Sequence, residues 1–541
     1  IGKMTINGKS TLTTGSSLGI NFGGIDVNNG GTLNLTTGWS ANRLNPGTIT
    51  IKPGGLLSNS TTSSVWNAAS NVILQNGGEY KTSSSTTVFP PAFSNQGTVH
   101  YARTSSGDQT ISDTNYYRLE ISYGGNNKIW DLKGNRSITD TLELNNNAAL
   151  VLSAAEPRSV SVASTLRLSS GALNNSDADV SLSLSNGALI SRATGTLSTA
   201  PTFGTTVNVR YTSTTASVTT GPELPVSPSI LNNLNIICDT TTVTLSAPVT
   251  LNGTLTLSSG FLKNINNNIT FADGAVIRRA TGTVMAEPIF VNKINLTYIS
   301  TVGNVITGFE IPSARNVLST LSIESPMGVT LGGDISVKDR LTLTRGLLFL
   351  NDYDLILDTT AVIDGSPGDT AMVVTDGTGN FKKYFSHPGS IIFPVGDTVG
   401  VPDFTPATVD ITSGNFAAGA FAGVRVLNTK HPSNNSVTDF LKRYWIIAAE
   451  GLSGFSADLK FNYNDNDLVG DEDNIVLGQW TGSEWNIYNP ASIPLNELSG
   501  TVGSFSDFSG ITAALTLELS DGWNLISLPV SFATRNKLIP M

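Results

Sequence analysis

The densest set of potential metal ligands in this sequence is an acidic run near its C-terminal end. Asp465, Asp467, Asp471 and Asp473 lie within nine residues. Carboxylate oxygens in a short loop suit Ca²⁺. Gly470 occupies the sixth position of an EF-hand pattern that begins at Asp465, but the twelfth position is Val476, which cannot bind a cation. The run therefore predicts either a calcium loop of these four aspartates or a solvated turn between two strands.

Three tryptophans in the same region form a second candidate site. Trp445, Trp480 and Trp485 could present aromatic faces on which a sugar ring stacks. Trp445 and Trp480 also lie in segments that alternate between apolar and polar residues, as core positions of a β-sheet do. The sequence thus leaves two interpretations, a glycan-binding platform and the packed interior of a β-domain.

The remaining chemistry-bearing residues do not nominate an active site. The three histidines are His100, His387 and His431, they are far apart, and the only cysteine is Cys238. None of them has the spacing of a zinc site, and no nucleophile or phosphate-loop motif is present. We therefore expect no enzyme, no catalytic residues and no bound cofactor, with Ca²⁺ as the single candidate ion.

Charge and composition restrict the class of partner. The chain has 541 residues, only 13% of them charged, and a net charge of −10. Phosphate backbones require clustered Lys and Arg, so nucleic acid is not an expected partner. An apolar content of 39% argues against disorder, and no apolar run reaches the length of a membrane span.

An internal repeat organises the chain. The segment 187–197 recurs as 274–284, an offset of 87 residues, and the similarity extends to about residue 348. Arg192 and Glu223 match Arg279 and Glu310. Polysaccharide lyases and glycosidases also use repetitive β-folds, and a glycosidase needs two carboxylates facing one groove. Because a residue placed identically in each repeat usually serves the repeat itself, we expect these four residues to be structural.

Short period-2 apolar pairs separated by Gly, Asn or Ser predict strands throughout the repeats. We expect an all-β protein in which residues 1–390 form a right-handed parallel β-helix, with about four turns in each 87-residue unit. Longer alternating runs predict an antiparallel β-sandwich over residues 391–514. Residues 515–541 are interpreted as the start of a truncated module, and both termini look cut.

Three sets of motifs resemble large repetitive surface or secreted proteins of Bacteroidota and related phyla, some of them cargo of type IX secretion. They are Gly97-Thr-Val-His-Tyr101, then Phe393-Pro-Val-Gly396 with Arg443-Tyr-Trp445, and finally Gly522-Trp-Asn-Leu-Ile-Ser-Leu-Pro-Val530. The resemblance implies an extracellular or outer-membrane location and no catalytic residues. It also implies a stalk-like or adhesive role, with surface glycans or other cell-surface proteins as partners. The alternative is a carbohydrate-binding or carbohydrate-active β-helix.

Overall fold

The computed structural model describes residues 2–12, 20–21, 23–36, 44–45, 47–60, 66, 70–267 and 269–512. These residues form strands and turns, with short 3₁₀ segments at Ile265–Asn267, Asp465–Asp467, Glu472–Asn474 and Ile493–Leu495. The strands build a parallel β-solenoid of about 16 turns. The predictions of an all-β chain and of a parallel β-helix are therefore confirmed. The module predicted at residues 515–541 lies outside the described residues.

One sheet follows the solenoid along its whole length, and we call it the long sheet. Each turn contributes a strand that pairs in parallel with the strand one turn earlier and the strand one turn later. Its strands are Lys9–Leu12, Thr32–Leu35, Leu56–Asn59, Glu79–Thr82, Thr98–Tyr101, Arg118–Ile121, Thr141–Leu144, Thr165–Leu168, Ala188–Arg192, Val207–Tyr211, Leu231–Thr244, Thr254–Lys263, Val276–Arg279, Ile294–Tyr298, Leu318–Glu324, Arg340–Arg345 and Val362–Gly365, with Val218–Thr219 and Thr283–Val284 paired to the longer members.

Two further series of shorter parallel strands complete the turns. The series that precedes the long sheet in each turn contains Met4–Ile6, Ile25–Val27, Thr48–Ile51, Asn71–Leu74, Ala92–Asn95, Arg136–Ile138, Arg158–Val162, Val180–Leu184, Val249–Leu251, Ile269–Phe271, Ile289–Phe290, Ile335–Val337, Leu355–Leu357 and Phe381–Tyr384. The series that follows it contains Ile20–Asn21, Leu44–Asn45, Gln109–Thr110, Asn127–Leu132, Ala149–Ala154, Ala172–Asn174, Thr196–Leu197, Val305–Ile306, Val329–Thr330, Leu348–Phe349, Val373–Val374 and Val395–Asp397.

The repeat seen in the sequence matches these turns. Within one unit the long sheet has strands that begin at Ala188, Val207, Leu231 and Thr254, and the equivalent of the first strand begins at Val276. The unit therefore spans four turns, as predicted.

An inward-facing column of apolar residues connects the strands of the long sheet from Thr32–Leu35 to Val362–Gly365, and we call it the core column. Each member lies opposite the corresponding residue of the next turn in an in-register parallel pairing. Its members are Leu33, Leu57, Tyr80, Val99, Leu119, Leu142, Leu166, Ile190, Val209, Leu234, Leu255, Ile277, Leu296, Leu321, Leu341 and Ile363. All are buried except Ile363, which ends the column and is half-buried. Burying one such side chain contributes about 1.5–3 kcal/mol, so the column is a major source of stability.

Glycine forms the corner in the recurring Leu-x-Leu-x-x-Gly motif because neighbouring turns approach closely there. Gly260 and Gly346 have positive φ angles of 81° and 103°. A Cβ atom at Gly346 would lie 1.7 Å from the carbonyl oxygen of Ser325, and one at Gly260 would lie 2.8 Å from Cβ of Cys238. Both the backbone conformation and the space exclude a larger residue.

The C-terminal strands are antiparallel and continue the sheets of the solenoid. They are Gly389–Phe393, Asp403–Phe404, Ala407–Leu427, Phe440–Leu441, Tyr444–Asn462, Leu468–Val469, Ile475–Trp480, Trp485–Pro490, Glu497–Val502 and Asp507–Thr512. Phe381–Tyr384 pairs in parallel with the solenoid and antiparallel with Ala407–Leu427, so one sheet passes from the solenoid into the C-terminal strands. The antiparallel character predicted for this region is confirmed.

Candidate functional site

The three tryptophans do not form one platform. Trp445 is fully buried, its indole Nε1 donates a hydrogen bond to the carbonyl oxygen of Thr405 at 3.1 Å, and its ring packs 5.0 Å from that of Phe461. It belongs to the core. Trp480 and Trp485 are half-buried and face each other across two paired strands, with ring centroids 5.3 Å apart. Only this pair retains a surface on which a sugar could stack.

His431 supports the tryptophan pair from below, a role that the sequence did not suggest. Its ring lies 4.9 Å from that of Trp485, and only 4% of the residue is exposed. Nδ1 accepts a hydrogen bond from the backbone N–H of Ser433 at 3.1 Å, so Nε2 carries the proton and donates to Asp507 at 3.1 Å. Because both ring nitrogens are engaged, His431 fixes the position of Trp485.

The acidic run is a pair of capped 3₁₀ turns. Asp465 accepts a hydrogen bond from the Asn496 side chain at 2.6 Å, and Asp471 accepts one from the backbone N–H of Asp473 at 3.1 Å. Asp467 is buried and accepts from Nε of Arg443 at 2.7 Å. Within residues 70–267 and 269–512, as in the shorter described segments, no three His, Cys, Asp or Glu side chains converge on a metal-sized site. The calcium loop stays a prediction, and it would require Asp467 to leave Arg443.

Arg443 is the centre of a buried ion cluster. Its guanidinium is fully buried and pairs with the carboxylates of Asp467, Asp397 and, at 3.5 Å, Asp403. Burial raises the pKa of the Asp403 carboxyl. The positive charge of Arg443 acts to lower this pKa, whereas the negative charges of Asp397 and Asp467 raise it further. The cluster joins the strands Val395–Asp397 and Asp403–Phe404 and the 3₁₀ turn Asp465–Asp467 to the residue that precedes Tyr444–Asn462, which makes it a structural centre of the C-terminal region. Asp397 directly follows the motif Phe393-Pro-Val-Gly396, and Arg443 begins the motif Arg443-Tyr-Trp445. These two motifs are the sequence signal that could have pointed to the cluster.

The repeated Arg and Glu residues form identical buried networks. Arg192 pairs with Glu223, and the hydroxyl of Tyr211 donates to the same carboxylate at 2.8 Å. In the next unit Arg279 pairs with Glu310, and Tyr298 donates at 2.7 Å. Burial raises the pKa of both tyrosines well above the ordinary value. These residues therefore face the core, as the structural interpretation predicted.

An open cleft of about 730 Å³ lies at the C-terminal end of the solenoid. Its lining includes Val362 and Ile363 from the last strand of the long sheet and Gly389–Ile392 from an antiparallel strand. Lys383 also lines it, with Nζ donating to the carbonyl oxygens of Asp358, Thr359 and Ala361 at 2.6, 3.0 and 2.6 Å. Burial lowers the pKa of Lys383 to about 8, while the charge of Asp358 acts in the opposite direction. No sequence pattern predicted this cleft, because its lining residues come from separate strands.

Comparisons with known proteins return no relative: no family model, no curated protein and no solved structure matches this chain. Among the described residues, no helix is long and apolar enough to cross a membrane.

The buried Arg–Glu pair yields a stability prediction. We expect Arg279→Met to destabilise the protein by about 3–5 kcal/mol because it leaves the Glu310 carboxylate buried without its cation. Replacing both residues, as Arg279→Met with Glu310→Gln, should recover more than half of that loss. The midpoint of urea unfolding, followed by circular dichroism, measures both. The neighbouring Arg278→Met is the matched control, since the Arg278 side chain is 43% exposed and should change stability by less than about 0.5 kcal/mol. Equal losses at positions 278 and 279 would contradict the assignment.

Lys383 yields a prediction about pH. Its folded-state pKa of about 8 lies below the ordinary value of 10.5, so the folded protein binds this proton more weakly than the unfolded chain. The free-energy cost of burying the charged ammonium is fully present below pH 8. This cost falls as the pH rises to 10.5, which stabilises the folded protein by up to about 3 kcal/mol. We expect the stability of the wild type, relative to Lys383→Met, to increase between pH 7 and pH 10. Urea titrations at both pH values test this, and a constant difference between the two proteins would refute it.

Proposed function

We propose that this chain is a structural stalk without catalysis, which holds its C-terminal β-strands away from a cell surface. In this proposal the solenoid is a right-handed β-helix and the C-terminal strands fold into a β-sandwich. The observation that carries the proposal is the core column, which passes through every turn from Leu33 to Ile363 in register. A rod whose turns contact only their neighbours gives length and stiffness without any ligand.

The proposed location is extracellular or on the outer-membrane surface. The support is the resemblance of the motifs to surface proteins of Bacteroidota, with type IX secretion as the corresponding export route. The proposed partners are surface glycans or other cell-surface proteins. Arg192, Glu223, Arg279 and Glu310 are buried and paired with each other, which favours a structural over a catalytic role for them.

The stalk predicts an elongated particle in solution. About 16 turns at about 4.8 Å each give a solenoid of about 75 Å before the C-terminal strands are added. A compact globule of this length would have a radius of gyration of about 24 Å. We expect small-angle X-ray scattering to give about 30 Å or more, with a long tail in the distance distribution. A value near 24 Å would overturn the stalk.

The second candidate function is carbohydrate binding, and the half-buried pair of Trp480 and Trp485 favours it. We expect a glycan array to show selective binding that Trp485→Ala reduces about fivefold, since one stacked aromatic ring contributes about 1 kcal/mol. Tyr353→Ala removes an exposed aromatic ring from the solenoid and is the control. Repeating the array with Ca²⁺ and with chelator tests the loop of Asp465, Asp467, Asp471 and Asp473. If the protein binds no glycan either with Ca²⁺ or with chelator, carbohydrate binding is refuted and the proposal of a passive stalk remains.

A further inference from the structure

At the C-terminal end of the solenoid, antiparallel strands pair with the last strand of two of the three strand series. The series ending in Phe381–Tyr384 continues into the antiparallel strand Ala407–Leu427, and the series ending in Val395–Asp397 pairs with Asp403–Phe404. The long sheet instead ends at Val362–Gly365, which pairs only with Arg340–Arg345. Within the described residues, its outer edge has no strand partner. The cleft described above lies at this edge.

The free edge presents backbone groups that a further strand could use. The N–H groups of Val362 and Ser366 donate back to the carbonyl oxygens of Asp339 and Leu343. In a strand, alternate residues point their N–H and C=O groups to opposite sides, so those of Ile363 point to the free edge. The strand Gly389–Phe393 on the other side of the cleft pairs only with Ala407–Leu427. Two strand edges therefore border one cleft.

The side chains of the cleft suit an apolar occupant. Val362 is 49% exposed and Ile392 is 59% exposed, although both lie in regular strands. Ile363 and Ile391 are half-buried and pack against the solenoid core from the cleft. An apolar residue placed over Ile363 would extend the core column by one position and remove this surface from water.

The charge of the cleft departs from that of the chain. The protein has a net charge of −10, yet no Asp or Glu side chain is among the described residues that line the cleft. The lining contains the ammonium of Lys383, which forms no ion pair with a carboxylate of the described residues and is instead bound by carbonyl oxygens. It also contains the exposed imidazole of His387. Asp364 lies on the edge strand Val362–Gly365 itself, but it is not among the residues that line the cleft, and it pairs with Arg340. An anionic group would complement this cleft, whereas a cation would not.

We propose that the cleft binds an extended, apolar polypeptide segment of a partner protein, which carries a carboxylate and adds as a strand to the edge of Val362–Gly365. Backbone hydrogen bonds would provide affinity, and alternate side chains would provide specificity. The proposal goes beyond the stalk and does not depend on it, because a rod with or without a bound peptide has the same length.

The test uses the full chain and a fluorescein-labelled peptide, Thr-Leu-Thr-Leu-Ser-Asp, which copies the strand sequence of 254–258 and adds an acid. We expect saturable binding by fluorescence anisotropy. Methylation of alternate backbone nitrogens of the peptide should weaken binding at least tenfold, since it removes the donors that strand addition needs. Replacing its Asp with Lys should weaken binding several-fold.

Protein variants locate the site. Ile392→Glu places a carboxylate at an exposed position in the cleft and should weaken binding at least tenfold without affecting folding. Val437→Glu changes an aliphatic residue that is 88% exposed outside the cleft and should bind like the wild type. No saturable binding, equal binding of the methylated peptide, or equal effects of the two variants would overturn the proposal. A concentration-dependent dimer that Ile392→Glu abolishes would identify a second copy as the occupant and would also overturn it.

Discussion

The structure depends on one interaction, the stacking of an inward apolar residue on its equivalent one turn later. This contact recurs at every turn from Leu33 to Ile363, and the parallel pairings on either side keep it in register. A shift by one residue would turn the whole inward face of a strand outward, so apolar burial itself specifies the register. The outward positions are then free to vary, which explains why polar Thr, Ser and Asn are compatible with a solenoid of this length.

Much of this architecture is visible in the sequence because it is local and repeated. The 87-residue repeat, the Leu-x-Leu pairs and the corner glycines predict the parallel turns, since each needs only residues of adjacent turns. The equivalence of Arg192 with Arg279 predicts a structural role, although the partner tyrosines were not identified. The Arg443 cluster was beyond prediction because Asp397, Asp403 and Asp467 come from separate segments of the chain, whose proximity depends on the pairing of two strands of 21 and 19 residues.

The candidate sites differ in how they arise. The tryptophan pair is a short-range feature, since Trp480 and Trp485 lie on neighbouring strands and face each other across one turn. The cleft is a consequence of how the solenoid ends: the C-terminal strands extend two strand series and leave Val362–Gly365 as an edge. No local sequence pattern predicts such an edge, because an edge forms where strand pairing stops. Lys383 lines the same place, where no Asp or Glu is among the described lining residues, although the protein as a whole is acidic.

The repeat unit has a consequence for how such a molecule can change in length. It comprises four complete turns and returns the backbone to the same place in the same sheet, as the equivalence of Leu189 and Val276 shows. A tandem duplication of the unit would join surfaces that already meet in the present chain. The rod would grow by about 19 Å per copy, and its two ends would keep their own contacts. Duplication of the unit would thus change the length in fixed increments without changing either end.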